Sequence, residues 1–196
     1  ERHLGEKLFL KGERCASPKC AFIRRASQTG ARKKTTSRRK KSLSEFGFLL
    51  REKQKVRFFY GLDDYDIEKY NKKAAKKGFY SAQLVTLLES RLDSVVRHCG
   101  FGVSQREARH LVKYGHIGVN NKTVTIPSYH VKRGDKVAIR ERSVSSPRFS
   151  DIDMRLKKHV TPPWLALDAE KKEGTVTGVP EELPLAIDVT KIKEFY

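Results

Sequence analysis

The chain has 196 residues, 38% of them hydrophobic and 33% charged, with 42 Lys and Arg against 23 Asp and Glu, a formal net charge of +19 and an isoelectric point near 10.0. A compact body carrying so much like charge repels itself unless something negative neutralises it, so the leading partner is nucleic acid, with an anionic membrane surface as the rival. No apolar run approaches the roughly 20 residues of a membrane span and no secretory stretch is visible, so a soluble, intracellular protein with no membrane partner is expected.

Residues 1–42 read as a basic N-terminal arm. "ARKKTTSRRKKS" shows no apolar periodicity and is expected to be extended and solvated when free, while "KLFLKG" and "CAFIRR" upstream are expected to dock. The first 57 residues carry 18 Lys/Arg and 5 Asp/Glu, making this third the main electrostatic footprint. From Leu43 the pattern turns helical: Phe46, Leu49, Val56 and Tyr60 fall near one stripe, and Arg51, Lys53, Lys55 and Arg57 are expected to present charge on the other side. A second helix is predicted from Asp63 or Asp64 through Ile67, Tyr70 and Ala74 to near Gly78. The third is predicted to run unbroken from Ser81 through Leu84, Leu88, Leu92 and Val96 to Cys99, closed by Gly100. These three helices can form a small all-helical domain over 43–88.

Ser104 and Glu107 have capping-box spacing and start a helix at Ala108, Leu111 and Val112, which Gly115 ends. "IGV" and "TVTI" read as strands around Asn120-Asn121-Lys122, where asparagine tolerates the positive φ of a tight hairpin. Gly134-Asp135 turns the chain into the strand "KVAIRE". Beyond it, 143–159 reads as a linker with a short helix, "TPPW" as extended, Trp164 and Leu165 as an anchor, and "TKIKEFY" as a final short helix.

Four chemistries suggest themselves. On the helix from Ser104, Arg106, Arg109 and Lys113 share one side with no acid among them, and His116 and Lys122 can extend that cationic surface onto the hairpin. Guanidinium forks fit phosphate oxygens, so this face is expected to grip a nucleic-acid backbone. "SRLD" resembles the Arg-Leu-Asp element of pseudouridine synthases, but in an unbroken helix Arg91 and Asp93 read better as surface or structural charges. "HIGV" resembles a synthetase signature yet runs into a strand. Cys15 and Cys20 form a C-x4-C pair with only His3 near. That is half of a zinc site, so unligated thiols and no cofactor are expected.

Residues 89–141, "ESRLDSVVRHCGFGVSQREARHLVKYGHIGVNNKTVTIPSYHVKRGDKVAIRE", resemble the RNA-binding domain named after protein four of the small ribosomal subunit. The flanks "GEKLFLKGERCASPKCAF", "LSEFGFLLREKQKVRFFYG" and "PPWLALDAEKKEGTVTG" resemble the bacterial-type ribosomal family that carries this domain. The resemblance implies an α+β fold: the basic arm, the helical domain 43–88 joined by the C-terminal segment 160–196, and an inserted RNA-binding domain over 89–142 made of a small antiparallel sheet plus helices.

It also implies a non-enzymatic structural constituent of the small subunit. Such proteins bind rRNA at a junction of five helices in the 5′ domain early in assembly, contribute to accuracy, abut small-subunit proteins five and twelve, and line the mRNA entry channel. The expected location is the cytoplasmic ribosome, with an organellar one not excluded. Charge and resemblance together assign RNA contact to Arg38, Arg39, Lys40 and Lys41 of the arm and to Arg51, Lys53, Lys55 and Arg57 of the first helix. They assign it further to Arg91, Arg106, Arg109, Lys113, His116, Asn121, Lys122, Ser128, Tyr129 and Lys132. Gln105 stands where an arginine is common in the family, which is expected to weaken the helix's charge. The alternative reading is an RNA-modifying enzyme of the pseudouridine synthase type that uses the same domain as a tether.

Overall fold

A computed structural model describes residues 4–24, 44–76, 78–184 and 186–196. After a short helical turn, α1 (Glu13–Ala16), the first long element is α2 (Glu45–Tyr60). The Ser44 side chain accepts a hydrogen bond from the Gly47 amide at its start, and Gly61, with φ of 62°, closes it in the left-handed conformation that glycine adopts without steric cost. α3 (Asp64–Ala75) and α4 (Tyr80–Glu89) complete a helical unit whose core is Val56, Phe59, Tyr60, Leu62, Ile67, Tyr70, Ala74, Tyr80, Leu84 and Leu88. The stripe expected on α2 holds only in its second half. Phe46 is exposed and meets Phe195 at a ring separation of 5.5 Å.

The predicted unbroken helix from Ser81 to Cys99 is two helices. α4 stops at Glu89, Arg91 is extended with ψ of 143°, and α5 (Leu92–His98) begins afresh. The cause lies in a distant segment. Arg91 bridges antiparallel to His130, the Ser90 carbonyl accepts from the Val131 amide at 2.8 Å, and the Leu92 amide donates to the Tyr129 carbonyl at 2.8 Å. Groups that a continuous helix would have paired internally are thus satisfied from outside.

α5 and α6 (Gln105–Lys113) cover a five-stranded antiparallel sheet of order β2-β1-β3-β5-β4, comprising β1 (Ile117–Val119), β2 (Lys122–Thr123), β3 (Lys136–Ile139), β4 (Leu165–Asp168) and β5 (Glu173–Val176). The class is α+β. Asn120 and Asn121 take φ of 49° and 64°, the conformation a two-residue hairpin needs. Asn120 also ties the tip down: its Nδ2 donates to Asp135 and its Oδ1 accepts from the Lys136 amide.

The cores do not follow the expected partition. The short helix expected within 143–159 is present as α8 (Ile152–Lys158), but the segment does more than link: α7 (Glu141–Val144) and α8 flank Phe149, and Phe149, Ile152 and Leu156 belong to the sheet core. The segment 160–196 is divided. Trp164, Leu165 and Val176 fill the sheet core as β4 and β5 form, while Leu183, Ile187 and α9 (Val189–Phe195), with buried Ile192, pack on the helical unit. β5 lies close against α5 because Gly174 has no side chain: a Cβ there would stand 2.4 Å from Cys99 Sγ. Among the described residues no helix is long and apolar enough to cross a membrane.

Candidate nucleic-acid interface

α6 is positioned by both of its ends. Ser104 Oγ accepts from the Glu107 amide at 3.3 Å, and Glu107 Oε2 accepts from the Val103 amide at 2.7 Å, one residue before the usual capping-box donor. Ala108, Leu111 and Val112 are buried against the sheet, which turns Arg106 and Lys113 outward and leaves Arg109 half exposed. Arg109 is braced: its Nη1 donates to the Tyr60 carbonyl at 3.3 Å and lies 3.8 Å from Asp93 Oδ2. Gln105 points inward, donating to Ser94 Oγ and accepting from Arg97 Nε, so the residue type at this position does not set the surface charge of the helix.

Between α6 and the end of α2 lies a cleft of about 380 Å³. Arg106, Arg109, His110 and Lys113 form one wall, and Phe58 to Gly61 form the other. Among the described residues, none lining it is acidic. His110 stacks on Tyr114 with ring planes 10° apart and centroids 5.9 Å apart. Neither ring nor Phe58 was singled out in the sequence; the available signal was the i,i+4 spacing of His110 and Tyr114 among cations that face outward.

The remaining expected contacts divide. Asn121, Lys122, Ser128, Tyr129 and Lys132 are exposed on the hairpin tip and the loop after it. His116 bonds Ser143 Oγ at 3.1 Å and packs edge-on to Phe149; burial, with Arg148 and Arg140 nearby, lowers its pKa and so works against a positive charge there. Arg38, Arg39, Lys40 and Lys41 lie outside the described residues.

Arg91 is not on the surface at all, with 2% of its area exposed. Its Nε and Nη2 fork onto Asp93 at 3.0 and 2.7 Å, and its Nη1 donates to the Tyr70 hydroxyl at 2.8 Å. Burial pulls its pKa down, but the Asp93 carboxylate outweighs that and holds it raised. Asp93 is equally enclosed, with both carboxylate oxygens paired to Arg91, which leaves no path for it to act as a nucleophile on RNA.

The α2 cations are also committed within the chain. Lys53, 8% exposed, pairs with Asp64 at 3.0 Å and lies over the Phe195 and Tyr196 rings. Lys55, 5% exposed, pairs with Glu6 and Glu52, each at 2.7 Å. Arg57 meets Asp64 at 3.2 Å, and Arg51 meets Glu6 at 3.1 Å and donates to the Leu4 carbonyl. The expectation that one side of α2 presents free charge fails because Glu6, Glu52 and Asp64, together with α9, cover it.

Cys15 and Cys20 are buried beside each other's segment, and the Lys11 amide donates to Cys15 Sγ. A structural zinc centre takes four ligands, and two sulfurs do not make one. Among the described residues, no group of three or more His, Cys, Asp and Glu could hold a metal.

Comparison with known proteins gives two family matches along the chain. Residues 1–89 match the family described as "Ribosomal protein S4/S9 N-terminal domain", and residues 90–137 match the "S4 domain". "Small ribosomal subunit protein uS4" of Acetivibrio thermocellus is 46% identical over 198 residues, covering 100% of this chain and 93% of the relative. The proteins of the same name from Caldicellulosiruptor saccharolyticus and Desulfitobacterium hafniense are each 44% identical with the same coverage. Two adjoining family matches and identity of this degree across the whole chain make it a member of the small ribosomal subunit protein uS4 family.

Proposed function

We propose that this chain is a structural, non-enzymatic constituent of the small ribosomal subunit that binds small-subunit rRNA. It acts at the five-helix junction of the 5′ domain during early assembly. The observation that carries the reading is the cationic wall of α6, where Arg106, Arg109 and Lys113 face a cleft with no acidic lining among the described residues. Folded RNA suits such a wall, because A-form helices and junctions are recognised through phosphates, 2′-hydroxyls and shape. Asn121, Lys122, Ser128, Tyr129 and Lys132 extend the contact along the hairpin side, and Arg38 to Lys41 of the arm reach further RNA, including the mRNA entry path. Contacts with small-subunit proteins five and twelve, and a share in decoding accuracy, belong to the same reading. So does a place on the cytoplasmic ribosome. The enzyme reading loses its support, since it needs Asp93 accessible and Asp93 is wholly enclosed.

The test is a salt titration of binding to a 5′-domain rRNA fragment. Affinity should fall steeply with salt on a log–log plot, and Arg106→Ala, at an exposed residue with no ion pair among the described residues, should reduce the slope by about 1. A slope near zero for the unmodified protein, or one unmoved by Arg106→Ala, sinks the assignment of this face.

A further inference from the structure

Phe58 is an aromatic residue that packing does not account for. On α2, Val56, Phe59 and Tyr60 form the buried stripe; at about 100° per residue Phe58 is turned roughly 200° from Val56, and it keeps 44% of its surface exposed. A single exposed apolar side chain is ordinary on a protein surface. Phe58 differs in where its ring is exposed: it lines the cleft opposite Arg106, Arg109 and Lys113. Gly61, which closes α2 with φ of 62°, lines the cleft beside it.

We propose that this cleft receives one unstacked nucleotide, its base against the face of Phe58 and its phosphate on the Arg106 and Lys113 side. A ring opposite a row of cations is the arrangement by which single-stranded nucleic acid is held: bases stack on aromatic faces while basic groups follow the backbone. The volume, about 380 Å³, is on the scale of a small-molecule site of roughly 300 to 1,000 Å³. A duplex keeps its base faces stacked inside and offers the cleft only backbone, so the ring distinguishes splayed from paired RNA. Within the rRNA reading above, on which this inference rests, the ligand is a nucleotide extruded at a junction or loop.

The experiment compares two fluorescent probes on the full chain: an oligoadenylate of about ten nucleotides and an RNA duplex of about twelve base pairs, each titrated at several salt concentrations. Phe58→Leu keeps an apolar side chain but removes the ring face. It should weaken oligoadenylate binding at least about fivefold, leave duplex binding within about twofold and leave both salt slopes unchanged, with Phe58→Tyr restoring the single-strand affinity. If Phe58→Leu weakens both probes alike or neither, while Arg106→Ala still lowers the duplex slope, the nucleotide site is wrong and the cationic face stands. If Arg106→Ala moves the slope for neither probe, the face itself is wrong and this inference falls with it.

Discussion

Arg91 and Asp93 are two residues apart, a spacing at which a continuous helix sends side chains to different sides. They meet because Arg91 is extended at the start of α5, so its guanidinium folds forward onto the carboxylate. Paired groups this enclosed add little net stability, but removing one member strands the other. Three histidines show the complementary case. His98, His116 and His130 are each held below the ordinary imidazole pKa, with burial the first cause in every case. An unfolded chain binds protons to these groups from about pH 6.5 downward, while the folded one resists until lower pH. Their contribution is therefore complete above about pH 6.5 and lost as the pH falls through the folded values. The urea midpoint should drop between pH 7.5 and 5, and His116→Asn, at the most accessible of the three, should make that drop smaller. An equal drop in the variant would mean that His116 is not held neutral.

The helix-on-sheet spacing of the second core rests on Gly174. Gly174→Ala places a methyl 2.4 Å from Cys99 Sγ and should destabilise by about 1 to 3 kcal/mol in urea unfolding. Combined with Cys99→Ala, which removes the sulfur, it should cost much less than the sum of the single changes; strict additivity would deny the contact. The elements legible in the sequence are those decided locally. Ser104 and Glu107 cap α6 with their own side chains, and Asn120 and Asn121 accept the hairpin's positive φ. The break at Ser90 is decided instead by residues 129–131, which no helical periodicity could report. β4 and β5 left a readable trace, the alternation in "LALD" and "EGTVTG", but they join the sheet only through the pairing of β5 with β3, which is distant in sequence and followed by a stretch that reads as a linker. For the site, spacing alone placed Arg106, Arg109 and Lys113 correctly on one face. It failed for Arg91, Lys53 and Lys55 because charge type says nothing of the carboxylates that tertiary structure brings up.

At the scale of the whole molecule the two cores are joined by polar contacts through their boundary. Arg91 reaches Tyr70, Tyr60 bonds the buried Glu89, which also meets His98, and Arg109 grips the Tyr60 carbonyl. The unmodified chain should therefore unfold in one transition, with Trp164 fluorescence reporting the sheet core and far-ultraviolet circular dichroism the helices, both at the same urea midpoint. Arg91→Leu leaves Asp93 without its main partner, should cost about 3 to 5 kcal/mol and should separate the two midpoints. Coincident midpoints in that variant would place the coupling elsewhere. The divided C-terminal segment adds a constraint in time. β4 and β5 complete one core and Ile192 completes the other, so neither is whole until the final stretch has been synthesised. A nascent chain of this design exposes its basic N-terminal third before either interior can close.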